Sequence, residues 1–282
     1  MLVFDDPERM RQWSWDRRRD GRRIAVVPTM GALHTGHLSL VERAMEVADL
    51  VVVTIFVNPL QFDRAADLDA YPRPIDDDVE ACEHAGVHAV YAPTTATMYP
   101  SGFDTRVEPG ALAELLEGAR RPGHFGGVTT VVTKLLAATA PDVAVFGQKD
   151  FQQLAVIRRL VTDLDLGVDV IGVPTVREAD GLAMSSRNVH LGPEDRTAAT
   201  VIRRAALAVR DAFEAGGRDA SALCHRAATI IADEGRARID YVELVDQVEL
   251  RALTTIDRPA VLLVAAWFGD VRLIDNELLE TP

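Results

Sequence analysis

Residues 50–57 read Leu-Val-Val-Val-Thr-Ile-Phe-Val, an apolar run almost uninterrupted by polar residues. A strand that is apolar on both sides must be covered on both sides, the situation of a strand inside a parallel sheet. Shorter apolar runs recur at 24–27, 87–91, 142–146 and 168–173. Between them, residues 37–48, 76–85, 110–118, 127–138 and 150–163 carry apolar positions at helical spacing. This alternation predicts an α/β fold, a Rossmann-like doubly wound parallel sheet, whose ligands bind beyond the C-terminal ends of the strands.

Past about Val176 the pattern changes. A helix over 195–214 would place Ala199, Ile202, Ala206, Val209 and Phe213 on one face, and a second would cover 219–234. Strands follow at 238–245, 260–268 and 271–275, so residues 1–176 and 177–282 read as a larger α/β domain and a smaller α+β domain. The net charge of −13 and a pI near 5.0 argue against nucleic-acid binding. Arg17, Arg18, Arg19, Arg22 and Arg23 are interrupted by Asp16 and Asp20 and read as a solvated helix end and turn. No apolar run approaches the roughly 18 residues of a membrane span, and the first residues carry acids where a secretory signal would need basic residues. Cys82 and Cys224 form no metal or disulfide pattern, so the expected place is the cytoplasm.

The chemistry-bearing residues gather at predicted strand ends. After the first run comes PTMGALHTGH, residues 28–37, leading into a helix. His34 and His37 would then lie at a helix N-terminus, where free N–H groups and the dipole favour an anion. Gly31 and Gly36 would let a phosphate approach the backbone, and the imidazoles could donate to its oxygens. An ordinary strand–helix turn has the same outline. After 50–57, Asn58, Gln61 and Phe62 offer two uncharged amides and an aromatic ring, suited to hydroxyl or carboxylate groups or simply to capping a loop. After 142–146, Gly147, Gln148, Lys149 and Asp150 open a helix, with Asp150 placed to cap it and Gln153 one turn further on. A lysine beside a helix N-terminus is unfavourable unless an anion offsets it. Residues 180–188 supply Ser185, Ser186 and Arg187 for a pyrophosphate, or form a polar linker. Asp76, Asp77 and Asp78 suit magnesium or merely the helix dipole. His124 is expected in a loop before a helix, near substrate, whereas His84, His88, His190 and His225 suggest no partners.

The HTGH string resembles the HxGH signature of the nucleotidylyl-transferase and class I aminoacyl-tRNA synthetase superfamily. Taken with FVNPLQF (56–62), FGQKDFQQL (146–154) and MSSRN (184–188), it resembles the pantoate–β-alanine ligase family. DLDAYPR (67–73), RPGHFGGVTTVV (121–132) and PTVREADGLAMSSRN (174–188) extend the likeness over nearly all of residues 24–190, while the C-terminal third matches only in size and position. The resemblance implies ATP-dependent condensation of (R)-pantoate with β-alanine through a pantoyl adenylate, releasing AMP and pyrophosphate. It implies that His34, His37 and Lys149 are catalytic, with His37 the proton donor. ATP would meet Met30, Gly31, Ala32, Leu33, His34, Thr35, Gly36 and His37, then Gly147, Gln148, Lys149 and Asp150. Val176, Met184, Ser185, Ser186 and Arg187 would complete its site, the second domain acting as a lid. Gln61 and Gln153 would hold pantoate, with Asn58, Pro28 and Phe62 beside them and Gln61 also meeting β-alanine. Asp77 would meet Mg2+. A homodimer is implied, and neither nucleic acid nor membrane is a partner. Ala183 stands where many superfamily members carry lysine, which shifts cationic work to Lys149 and Arg187. The rival readings are an HxGH nucleotidylyltransferase that keeps the nucleotide in its product and a nucleotide-binding module without turnover.

Overall fold

A computed structural model gives the fold of residues 1–280, with the backbone alone described at residues 65 and 66. Nine strands are present among these residues: β1 Leu2–Phe4, β2 Ile24–Thr29, β3 Leu50–Ile55, β4 Ala89–Tyr91, β5 Val143–Gly147, β6 Asp169–Val173, β7 Ala237–Asp246, β8 Ala260–Phe268 and β9 Val271–Leu279. The α-helices are α1 Pro7–Arg19, α2 Thr35–Val47, α3 Ala65–Asp69, α4 Ile75–His84, α5 Thr95–Met98, α6 Leu116–Arg120, α7 His124–Thr139, α8 Phe151–Asp163, α9 Pro193–Ala198, α10 Val201–Glu214 and α11 Ala220–Ala232.

Residue contacts divide the chain into two compact units, Met1–Gln148 with Gln152–Pro174, and Lys149–Phe151 with the chain from Thr175 onward. The first unit holds a six-stranded sheet, parallel throughout, in the order β1-β4-β3-β2-β5-β6. Alternate residues face opposite sides of each strand. Ala25, Val27, Val51 and Val53 share a buried cluster with Leu40, Val41 and Ala44 of α2. Ile24, Val26 and Val52 belong to the opposite cluster, with Val128 and Leu135 of α7 and Ile157 of α8. The expected doubly wound α/β sheet is the one found. The edge strand β1, three residues long, has no periodicity to read and was not expected.

The order reverses between β2 and β5, and there the sheet opens. β2 pairs with β3 along its whole length, as far as Thr29 with Ile55, but with β5 only at Ala25–Val143 and Val26–Ala144. Strand polarity explains why Pro28 is accepted beside that opening. Arg23 and Thr29 carbonyls accept from Leu50 and Phe56, so odd-numbered β2 residues face β3, whereas Ile24 accepts from Asp142 on the β5 side. Pro28 therefore turns its missing N–H toward the side where pairing has already ended.

In the second unit, β7-β8-β9 form an antiparallel sheet. Ile202, Ala206, Val209 and Phe213 of α10 share its core with Leu262, Val264 and Phe268 of β8. The expected face of 195–214 is buried as read, Ala199 included, but the helix is interrupted between Ala198 and Val201. Likewise 110–118 resolves into a 3₁₀ turn at Ala111–Ala113 and the short α6, whose first residue, Leu116, has φ +47.

Candidate active site

The turn after β2 is built around one internal carboxylate. Gly31 and Ala32 have φ values of +81 and +52, which point successive N–H groups inward as a nest. Asp78, 3% exposed in the first turn of α4, fills it: Oδ2 accepts from Ala32 N at 2.8 Å and Oδ1 from Leu33 N at 2.7 Å. A Cβ on Gly31 would stand 2.7 Å from Asp78 Oδ2, so glycine is required here by the protein's own anion. The space expected to take a phosphate beside Gly31 is thus occupied by Asp78. Spacing does carry a signal for Asp78: it stands four residues before the buried Cys82, on the inward face, whereas Asp77 is exposed. Burial and the neighbouring Asp78 push the Cys82 thiol up to about 12, leaving it an inert core group.

His34 is the N-cap of α2, and the two histidines form a capping box. His34 Nδ1 accepts from Gly36 N at 3.1 Å, His37 Nδ1 accepts from His34 N at 3.3 Å, and the rings pack at a 33° tilt with centroids 4.1 Å apart. An Nδ1 that accepts a backbone proton cannot carry one, so each neutral ring holds its proton on Nε2.

The turn after β3 is seated on the N-terminal turn of α7. Gly127 lets the two approach: a Cβ there would run into the Leu60 carbonyl. The Gln61 carbonyl meets His124 Nδ1 at 2.8 Å and Arg121 Nη2 at 3.1 Å, and Arg121 also grips Asp63 at 3.2 Å. His124 is thus the first residue of α7, buried and bound to the protein itself, rather than lying in a preceding loop. Partial burial raises the Asp63 carboxyl, but its own backbone N–H and the Arg121 guanidinium outweigh this and hold it below its ordinary value. Asn58 is 1% exposed, and Gln61 Nε2 lies 3.1 Å from Met30 Sδ, bringing the β2 and β3 turns together. Pro28 and Phe62 are half-buried, Phe62 edge-on to Tyr71. His88 is structural, its Nδ1 accepting from Val51 N at 3.1 Å.

β5 ends at Gly147, and Gln148–Asp150 form a 3₁₀ turn into α8. Gln153 is half-buried on α8. Its neighbour Gln152 is buried and tied to Leu112 O, Leu115 O and Glu117 N, an internal brace.

In the second unit, Val176 and Met184 are adjacent through Met184 N to Val176 O at 3.0 Å. The tight turn between them is fixed by Arg177, which forms a two-pronged pair with the buried Asp275 at 2.7 and 3.0 Å. Ser185 caps the 3₁₀ turn Ser186–His190 by accepting from Arg187 N. Lys149 and Ser185 line one small cavity with Asn188 and Asp275. The Lys149 carbonyl accepts from Asn276, and its ammonium is 3.8 Å from Asp150.

A family model described as pantoate-beta-alanine ligase matches residues 2–278. The chain belongs to the pantoate–β-alanine ligase family. It is 56% identical over 267 residues to a pantothenate synthetase of Thioalkalivibrio sulfidiphilus, covering 94% of this chain and 93% of that protein. The pantothenate synthetase of Heliobacterium modesticaldum is 50% identical over 280 residues, 99% of this chain and all of its own length (100%). Among solved structures, pantothenate synthetase from Thermus thermophilus superposes with a TM-score of 0.92 at 43% identity, over 98% of this chain and 99% of that one. A pantoate-beta-alanine ligase from Francisella tularensis, complexed with beta-gamma ATP and beta-alanine, gives 0.78 at 34% identity, over 100% and 99%. Membership in this ligase family displaces the nucleotidylyltransferase reading. Among the described residues, no helix is long and apolar enough to cross a membrane.

Proposed function

We propose that this chain condenses (R)-pantoate with β-alanine, using ATP, by the two-step route of an acyl adenylate. A carboxylate is a poor acylating agent, so pantoate's carboxylate first attacks the α-phosphorus of ATP. The α–β phosphoanhydride bond breaks, pyrophosphate leaves, and a mixed anhydride of pantoate and AMP remains. The amine of β-alanine then attacks the acyl carbon, AMP departs, and the amine's proton passes to solvent. The observation that carries this reading is the capping box. Two adjacent imidazoles, each with Nδ1 engaged by backbone, can offer Nε2–H as donors to phosphate oxygens as charge grows there.

Residues 30–37 and 147–150 are assigned to ATP, with Lys149 neutralising phosphate charge. Val176, Met184, Ser185, Ser186 and Arg187 are assigned to the nucleotide, residues 177–282 serving as its lid; protection of that segment from limited proteolysis by ATP is the check. Gln61 and Gln153 are assigned to pantoate, with Pro28 and Phe62 beside pantoate's methyl groups, and Gln61 also to β-alanine. Among the described residues there is no cluster of three or more metal-ligating side chains. Magnesium fits as part of the substrate, carried on the ATP phosphates with most of its own water, and the exposed Asp77 is the carboxylate assigned to it. The family likeness further suggests a cytoplasmic homodimer, tested by a native mass of twice 30.8 kDa.

The deciding experiment incubates the protein with MgATP and pantoate, with and without β-alanine, and follows AMP and pantothenate. AMP released in step with pantothenate, only when both acids are present, is the expected result. Absence of AMP under every condition would sink the proposal.

A further inference from the structure

The direction in which Gln61 presents its amide is set by backbone groups whose hydrogen-bonding roles cannot be exchanged. Leu60 N–H can only donate, and it reaches Asn58 Oδ1 at 3.2 Å. The Gly127 carbonyl can only accept, and it takes Asn58 Nδ2 at 3.1 Å. Together they fix which end of the Asn58 amide is oxygen. The Gln61 atom 2.9 Å from Asn58 Nδ2 must then be the acceptor, Oε1. Gln61 Nε2 is therefore turned the other way, where among the described residues it meets a thioether, Met30 Sδ, a weak acceptor that a substrate oxygen would outcompete.

Tyr99 closes the far end of this relay. Its hydroxyl donates to Asn58 Oδ1 at 2.7 Å. Its ring is wedged between Phe56 and Phe103, with centroids 5.9 and 5.0 Å away. Burial pushes the phenol well above its ordinary range, so it stays a donor at any working pH.

We propose that Tyr99, acting through Asn58, is a positioning residue that holds Gln61 as a donor toward the acid substrate. The site thereby selects an oxygen that accepts, a carboxylate or hydroxyl oxygen, and discriminates against a cationic amine in the same place. This rests on the assignment of Gln61 to pantoate made above.

The test compares wild type, Tyr99→Phe and Asn58→Asp by calorimetric titration with pantoate and with ATP, by steady-state kinetics and by thermal melting. Tyr99→Phe keeps the ring and loses one hydrogen bond; Kd and KM for pantoate should rise about tenfold, the worth of one such bond. ATP affinity and kcat should stay within about twofold, which a general loosening of the fold would not produce. Asn58→Asp replaces the donor facing Gln61 Oε1 by an acceptor and releases the amide to turn; the pantoate effect should be larger, about a hundredfold. Unchanged pantoate binding in Tyr99→Phe, with wild type still making pantothenate, overturns the relay and leaves the proposed reaction standing. Parallel losses for pantoate and ATP also overturn it, in favour of a structural role. A wild type that binds ATP but no pantoate overturns the assignment of Gln61, and the relay with it.

Discussion

The turns after β2 and β3 are each organised around one buried polar side chain, Asp78 and Asn58, and the two are opposite in kind. Asp78 brings a charge and takes two backbone N–H groups of the β2 turn. Asn58 brings a neutral amide and links backbone to Gln61. A carboxylate has only acceptors to give, so it can clamp a nest but cannot pass direction onward. An amide is donor at one end and acceptor at the other, so it transmits orientation. The β2 turn is thus built for stiffness, and its two imidazoles stand outside the clamp. The β3 turn is built for polarity.

The largest effects are expected at the chemical end of the β2 turn and at Lys149. His37→Ala removes one aimed donor and should lower kcat by about 10²–10³-fold, and Lys149→Ala likewise, with melting temperature unchanged; an unaltered kcat would remove either residue from the mechanism. Asp78→Ala opens the clamp and orphans two N–H groups, which should cost about 2–4 kcal/mol of stability by denaturant titration. It should also raise KM for ATP more than KM for pantoate, and the reverse order would mean the β2 turn is not the phosphate turn.

Gly127→Ala drives a methyl against Leu60 O and should cost about 1–3 kcal/mol. Its kinetic effect should fall on pantoate rather than ATP. The smallest effect sharpens the comparison from outside the site. Asp246 clamps the β7–β8 turn through Val248, Glu249 and Arg251 N–H groups, much as Asp78 clamps the β2 turn. Burial raises its carboxyl, but those N–H groups outweigh burial and hold it below its ordinary 3.8. A depressed folded value means its stabilisation is complete above 3.8 and is lost as pH falls through the lower folded value. Asp246→Ala should therefore cost about 1–2 kcal/mol at neutral pH, flatten acid unfolding below about pH 4, and leave both KM values alone.

What the sequence disclosed and what it hid divide along the same line. The parallel sheet was legible because burial on both faces writes itself into contiguous apolar runs, as in 50–57. The donors His34, His37, Asn58 and Gln61 were legible because they follow such runs directly. Asp78 and Tyr99, which brace those turns, were not, because they come from far along the chain. Asp78 lies 46 residues from Ala32 and Tyr99 lies 41 from Asn58. Periodicity reports which face a residue takes within its own element; it does not report which turn of another element it will meet. For the same reason Gly31 was credited to a ligand when its neighbour is Asp78, and Gly127 showed no purpose until Leu60 was seen packed on it.

Pro28 has a consequence beyond strand geometry. Where β2 and β5 part, the sheet acquires an edge in its middle, and an edge strand invites another strand to add to it. Outer edges are commonly defended by being short, as β1 is at three residues. Inside the opening that defence is unavailable, since β2 must run its full length to deliver the turn that follows. A proline facing the gap withholds the donor a foreign strand would need, so the opening offers poor purchase to another polypeptide. The opening in the sheet is thus also a seam guarded against aggregation.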